Sequence, residues 1–130
     1  MKPQTGAFLE KANELLRQAE TMLGVSLNEA AGRTAYLAGF HAAQALIFER
    51  HDRVFKKHSS VQGEFARLVK DDPRFDLDLR AFLGRAYNLK AIADYETGAG
   101  SHISNEHAAE AVADAVRFVG MLSVFVSESG

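Results

Sequence analysis

Apolar residues recur at three- and four-residue steps through most of the chain, the spacing that places them on one face of an α-helix. Phe8, Ala12, Leu15, Leu16, Ala19, Met22 and Leu23 form the first such face, on a helix from Thr5 to Leu23 that Gly24 can end. Ser26-Leu27-Asn28-Glu29 reads as a capping box, whose two side chains satisfy backbone N–H groups at the start of a second helix reaching about His51. That helix holds Ala30, Ala31, Ala35, Ala38, Ala42, Ala43 and Ala45, which favour helix and let neighbouring backbones approach, so it is the expected centre of the fold. Arg50 to Lys57 reads as a polar connection. Ser59 or Ser60 then caps a short third helix with Val61, Phe65, Leu68 and Val69 inward, stopped by Asp71-Asp72-Pro73. From Asp76, Leu79, Phe82, Leu83, Ala86, Leu89 and Ala93 mark a fourth helix ending near Tyr95. Thr97-Gly98-Ala99-Gly100-Ser101-His102 reads as a flexible loop. Ser104 or Asn105 caps a last helix whose buried stripe is Ala108, Ala111, Val112, Ala115, Val119, Leu122 and Phe125, with Val124 and Val126 at a solvated end. No strand alternation competes, so the sequence predicts an all-α bundle of four long helices plus one short helix.

Composition narrows the class without naming a function. The 130 residues fit one domain spanning 1–130, with ordinary globular fractions of 47% hydrophobic and 25% charged residues. The absence of cysteine excludes disulfides, Cys-based zinc sites and thiol nucleophiles. Met1 to Gly6 carries no apolar signal-peptide core, and no stretch approaches about 20 consecutive apolar residues, so a cytoplasmic protein without a membrane span is expected. The net charge of −2 hides an asymmetry: residues 31–60 carry five Lys/Arg against two acids, and residues 91–130 one Arg against six acids. The basic excess sits mainly in Arg50, Arg53, Lys56 and Lys57, beside His51 and His58, and reads either as a solvated connection or, through Arg53, Lys56, Lys57 and His58, as a patch for an anionic ligand.

Familiar catalytic spacings are missing: there is no phosphate loop, no Gly-x-Gly-x-x-Gly, no Gly-x-Ser-x-Gly and no His-Glu-x-x-His, and neither a metal nor a cofactor is expected. Polar residues do interrupt the second helix. Arg33, Leu37, Phe40 and Gln44 align on it, with Tyr36 and His41 flanking that line on opposite sides. Buried polar groups require partners, so Arg33 and His41 are expected to meet acids on a facing helix, Asp94 being a candidate. Lys90 and Asp94, one turn apart, can pair across that turn, while Tyr95 points elsewhere.

Arg33-x-x-Tyr36-x-x-x-Phe40-His41-Ala42-Ala43, Lys57-His58-Ser59-Ser60-Val61 opening a helix, and Leu89-Lys90-x-x-Ala93-Asp94-Tyr95 occur in this order. Together they resemble the HEPN domain, the nucleotide-binding helical domain of higher eukaryotes and prokaryotes, from about residue 5 to residue 126. The resemblance implies a four-to-five-helix, up-and-down bundle that commonly forms a two-fold homodimer. Small bacterial members are often encoded beside a minimal nucleotidyltransferase as a toxin–antitoxin pair. Many members are metal-independent ribonucleases with an Arg-x(4–6)-His signature near the end of the fourth helix, where His moves a proton and Arg stabilises phosphate charge. Here Lys90 and Tyr95 occupy those places. Lysine still binds phosphate, but tyrosine, with an ordinary pKa of about 10, is a poor general base at neutral pH.

Arg53-Val54-Phe55-Lys56-Lys57-His58 also satisfies Arg-x(4)-His, although it precedes the third helix, the wrong place in the fold. The leading expectation is a nucleotide-binding, RNA-binding or nucleotidyltransferase-partner protein whose ligand cleft comprises Arg33, Tyr36, His41, Lys90, Asp94 and Tyr95. The alternatives are a metal-independent ribonuclease toxin using Lys90/Tyr95 or Arg53/His58, and a purely structural dimer subunit.

Overall fold

Three residues, 25–27, turn the first helix, α1 (Pro3–Gly24), back onto the second, α2 (Asn28–His51), in a computed structural model that describes residues 1–97 and 102–129. The short connection makes the two helices antiparallel neighbours. Ser26 does not cap α2. It takes the left-handed conformation (φ 62°), its N–H bonds to the Leu23 carbonyl (3.0 Å), and the Leu27 N–H bonds to that of Met22 (2.9 Å). This paired arrangement satisfies the last carbonyls of α1. Ser26 thus ends one helix rather than starting the next, and α2 begins on Leu27 with no side-chain cap.

The third helix, α3 (His58–Leu68), starts earlier than the serine-cap expectation, on an extended Lys57 and again with no side-chain cap. Ser59 and Ser60 consequently lie exposed in its first turn. It ends at Leu68, before the Asp71-Asp72-Pro73 stop, with Val61, Phe65 and Val69 buried and Leu68 half-buried. Arg80 fastens the connection that follows, donating to the carbonyls of Val69 (2.8 Å), Asp72 (2.7 Å) and Phe75 (2.6 Å). Asp76 caps the fourth helix, α4 (Leu77–Tyr95), its carboxylate accepting from the Leu79 N–H at 2.8 Å. The last helix, α5 (Asn105–Ser129), has Ser104 as its cap, the hydroxyl accepting from the His107 N–H at 3.1 Å. Gly98, Ala99, Gly100 and Ser101 of the anticipated loop lie outside the described residues.

Among the described residues the fold is all-α, five helices and no strand, and α2 is its centre, packed against each of the other four. Buried side chains from all five join in one cluster around Tyr36, Phe65, Phe75, Phe82 and Phe118. The predicted α5 stripe is buried as expected, and Phe118 and Val126 are buried with it. Val126 therefore corrects the expectation of a solvated end, whereas Val124 is exposed as expected.

The α2–α4 crossing is close because residue 39 is glycine: a Cβ there would lie 2.4 Å from Cε2 of Phe82, whose ring is buried and stacked on Phe118. This approach brings the C-terminal turns of α4 beside the polar positions of α2. No described helix is long and apolar enough to cross a membrane.

Candidate functional site

Arg33 stands one turn into α2 and Asp94 in the last turn of α4, so the crossing of the two helices brings them together. Arg33 Nε lies 3.0 Å from Asp94 Oδ1, and Lys90 Nζ lies 2.6 Å from Asp94 Oδ2. Two cations thus share one carboxylate. Lys90 holds the Asp94 carboxyl below its ordinary range, with Arg33 adding to the effect, and Asp94 in turn raises the Lys90 ammonium. The Lys90 side chain is largely covered, while half of the Arg33 side chain is exposed. Tyr95, 75% exposed, does not point away: its ring centroid is 5.7 Å from Lys90 Nζ.

The start of α3 completes this surface. His58 Nδ1 lies 2.6 Å from the hydroxyl of Tyr36, which is fully buried on α2. The His58 ring also meets Phe40 of α2 (centroids 4.9 Å) and stacks on Tyr87 of α4 (5.2 Å). Burial lowers the His58 pKa, and the nearby Lys90 charge lowers it further. Burial likewise pushes the Tyr36 phenol up to about 12. His58, expected with the basic connection, therefore reaches the α2–α4 cleft and joins it to that connection. Arg53 lies over Phe55 (5.3 Å), and Lys56 and Lys57 are exposed. Arg53 and His58 accordingly turn to different neighbours, and Arg53-x(4)-His58 forms no assembled pair.

His41 lies apart from the cleft. It stacks on Phe8 of α1, and its Nδ1 lies 2.7 Å from Gln44 Oε1, so its partner is an amide rather than the acid expected. The cause is helical phase: five residues at about 100° each set His41 roughly 140° around α2 from Tyr36, so the two cannot face the same helix. Burial lowers the His41 pKa, with the Lys11 charge adding to it.

Three features were missed in the sequence. Tyr87 lies one turn before Lys90 on the same side of α4, and that spacing was a usable signal. The second, a cluster of His51, Glu64 and Arg67, ties the end of α2 to α3: Glu64 Oε2 is 2.6 Å from His51 Nε2, and Arg67 Nε donates to Glu64 Oε1 at 2.8 Å. Arg67, with help from His51, holds Glu64 down at about 2. The third is a groove of about 300 Å³ between α4 and α5, where Arg85, His107, Glu110 and Asp114 border Phe82 and Leu89. Among the described residues no group of three or more His, Asp or Glu could hold a metal ion.

The model of the HEPN domain matches residues 5–124. The chain belongs to the HEPN family. A relative from Methanocaldococcus jannaschii, named "Putative toxin MJ0142", is 27% identical over 95 residues, 73% of this chain. The aligned part is 64% of that protein, so this chain spans just under two thirds of its length. UPF0332 protein glr0978 of Gloeobacter violaceus is 24% identical over 98% of this chain and its own full length. Among solved structures, TT1696 from Thermus thermophilus superposes with a TM-score of 0.78 at 22% identity, covering 99% of this chain and 100% of that one. That likeness shows a shared all-α fold. The HEPN match takes in all three α-helical segments that build the cleft.

Proposed function

We propose that this HEPN protein is a member of a toxin–antitoxin-type module whose α2–α3–α4 cleft binds a phosphate-bearing ligand, a nucleotide or RNA, without efficient cleavage. The observation that carries the reading is the convergence of Arg33 and Lys90 on a single carboxylate, which leaves the trio one positive charge in excess. Guanidinium and ammonium groups are the usual partners of phosphate oxygens. Tyr95 adds an exposed aromatic face, on which a base can stack, beside that charge. The resemblance puts Lys90 and Tyr95 where many family members carry the Arg and His of the ribonuclease signature, and a tyrosine is a poor substitute for histidine as a general base at neutral pH. The archaeal relative's name supports the module. In this reading the protein is a cytoplasmic homodimer, and its protein partner is a minimal nucleotidyltransferase.

Titration calorimetry with ATP, GTP and a short RNA, at low and moderate salt, tests the ligand. Wild type should bind, with affinity falling as salt rises, and Lys90→Ala should weaken binding about tenfold, the effect of one lost charge-assisted contact. No binding by wild type, or binding by both Lys90→Ala and Arg33→Ala as tight as that of wild type, would refute it.

A further inference from the structure

The Lys57-His58-Ser59-Ser60-Val61 segment enters the cleft through one atom pair, Tyr36 Oη and His58 Nδ1, 2.6 Å apart. One of the two supplies the proton. A phenol is the better donor and a neutral imidazole nitrogen the better acceptor, so the favoured arrangement is O–H···N. Tyr36 keeps its proton throughout the physiological range, because burial has pushed its ionisation up to about 12. With Nδ1 accepting, a neutral ring carries its own proton on Nε2.

The groups around the ring preserve this state. From α2 it meets Tyr36 and Phe40; from α4 it meets Tyr87 and the charge of Lys90, whose ammonium hydrogen-bonds Asp94. A second positive charge on His58 is disfavoured there by burial and by Lys90. Protonation would also put a hydrogen on Nδ1 and force the Tyr36 hydroxyl to find another acceptor in a buried position, which is costly.

We infer that Tyr36 holds His58 as a fixed Nε2–H donor, which grips the same phosphoryl group as Lys90 and takes no proton from a ribose hydroxyl. Tyr36 is then a positioning residue and His58 a ligand-binding one. The ligand in this inference rests on the proposed function above; the tautomer does not. An imidazole arranged in this way offers a hydrogen where a general base needs a lone pair. The motif at the start of α3 therefore acts in anion recognition, independently of the substituted pair at the end of α4.

Long-range proton–nitrogen NMR correlations on the uniformly labelled protein near neutral pH read the tautomer directly, and titrations with inorganic phosphate and a short 5′-phosphorylated RNA read the grip. Wild-type His58 should show a protonated Nε2 and an unprotonated Nδ1. Tyr36→Phe, checked for folding by circular dichroism, should lose that pure signature and raise the His58 pKa. His58→Ala should bind phosphate and RNA about tenfold more weakly, as for one lost hydrogen bond to a charged acceptor. His58→Gln, whose amide nitrogen falls near the place of Nε2, should retain most of the affinity. A proton on Nδ1 of wild-type His58 overturns the tautomer lock, whatever binds. Binding by His58→Gln as weak as that of His58→Ala overturns the donor role. An Nε2–H His58 in a protein that binds neither probe overturns the shared grip together with the proposed ligand, and leaves the lock standing.

Discussion

Replacing either of two glycines on α2 by alanine should have opposite effects, because their surroundings differ. A new Cβ at Gly32 meets Leu89 Cβ at 3.8 Å and Ile103 Cδ1 at 3.9 Å, ordinary contact distances. Gly32→Ala therefore gains the helix preference of alanine over glycine, up to about 1 kcal/mol, without a clash. At Gly39 the same Cβ falls 2.4 Å from Phe82 Cε2 and 3.3 Å from Cδ2 and Cζ. The Phe82 ring cannot swing aside, being buried and stacked on Phe118 at 4.8 Å. Overpacking of a core costs about 1–3 kcal/mol, which outweighs or cancels the same propensity gain. The two variants should thus differ in stability by about 1–3 kcal/mol, with Gly39→Ala the weaker. Urea unfolding followed by far-UV circular dichroism measures both, and a double-mutant cycle with Phe82→Leu identifies the cause, since a smaller side chain should relieve the strain. The Gly39→Ala helix pair must also separate, so its phosphate affinity should fall along with its stability. Gly39→Ala as stable as Gly32→Ala would refute the claim that a close α2–α4 crossing builds the cleft.

Asp94→Asn removes the carboxylate that competes with phosphate for Arg33 and Lys90, so phosphate affinity by calorimetry should rise several-fold while Lys90→Ala lowers it. Arg80→Met leaves the carbonyls of Val69, Asp72 and Phe75 without their cationic donor and should cost about 2 kcal/mol or more in urea unfolding. Glu64, depressed from 4.5 to about 2 by Arg67 and His51, contributes stability that is complete above about pH 4.5 and lost as pH falls toward 2; Glu64→Gln should flatten that acid limb. His41, lowered from 6.5 by burial, binds its proton less readily folded than unfolded. Stability should therefore be complete above about pH 6.5 and decline below it, and His41→Gln should reduce the decline in pH-dependent melting.

The helices were legible because each buries a stripe wide enough to outweigh any local competitor: Ala12 to Ala19 on α1 and Ala108 to Phe125 on α5 are buried as the spacing predicts, although at the start of α1 Leu9 is buried and Phe8 only half-buried. Their ends were less legible for a specific reason. A Ser-x-x-Glu sequence states only that a serine precedes a helix, and at Ser26 the preceding helix claimed the residue first, through the Leu27-to-Met22 and Ser26-to-Leu23 bonds that close α1. Val126 shows a second limit. Its burial depends on how far α5 runs alongside its neighbours, a tertiary fact that periodicity within α5 does not contain.

The candidate site divides along the same line. Lys90 and Asp94 pair within one helix turn, so spacing alone located them, and the exclusion of His41 was also within reach of helical phase. The approach of His58 was not, because it depends on where α3 begins. A cap at Ser59 or Ser60 would have delayed the helix by two or three residues and left His58 in the connection before it. Starting on Lys57 instead sets His58 at the first position of α3, against Tyr36 and Tyr87. The missing cap and the placement of His58 are therefore one structural choice: the segment gives up a local hydrogen bond at the helix start, and the ring that it positions closes the third side of the α2–α3–α4 cleft, the proposed anion site.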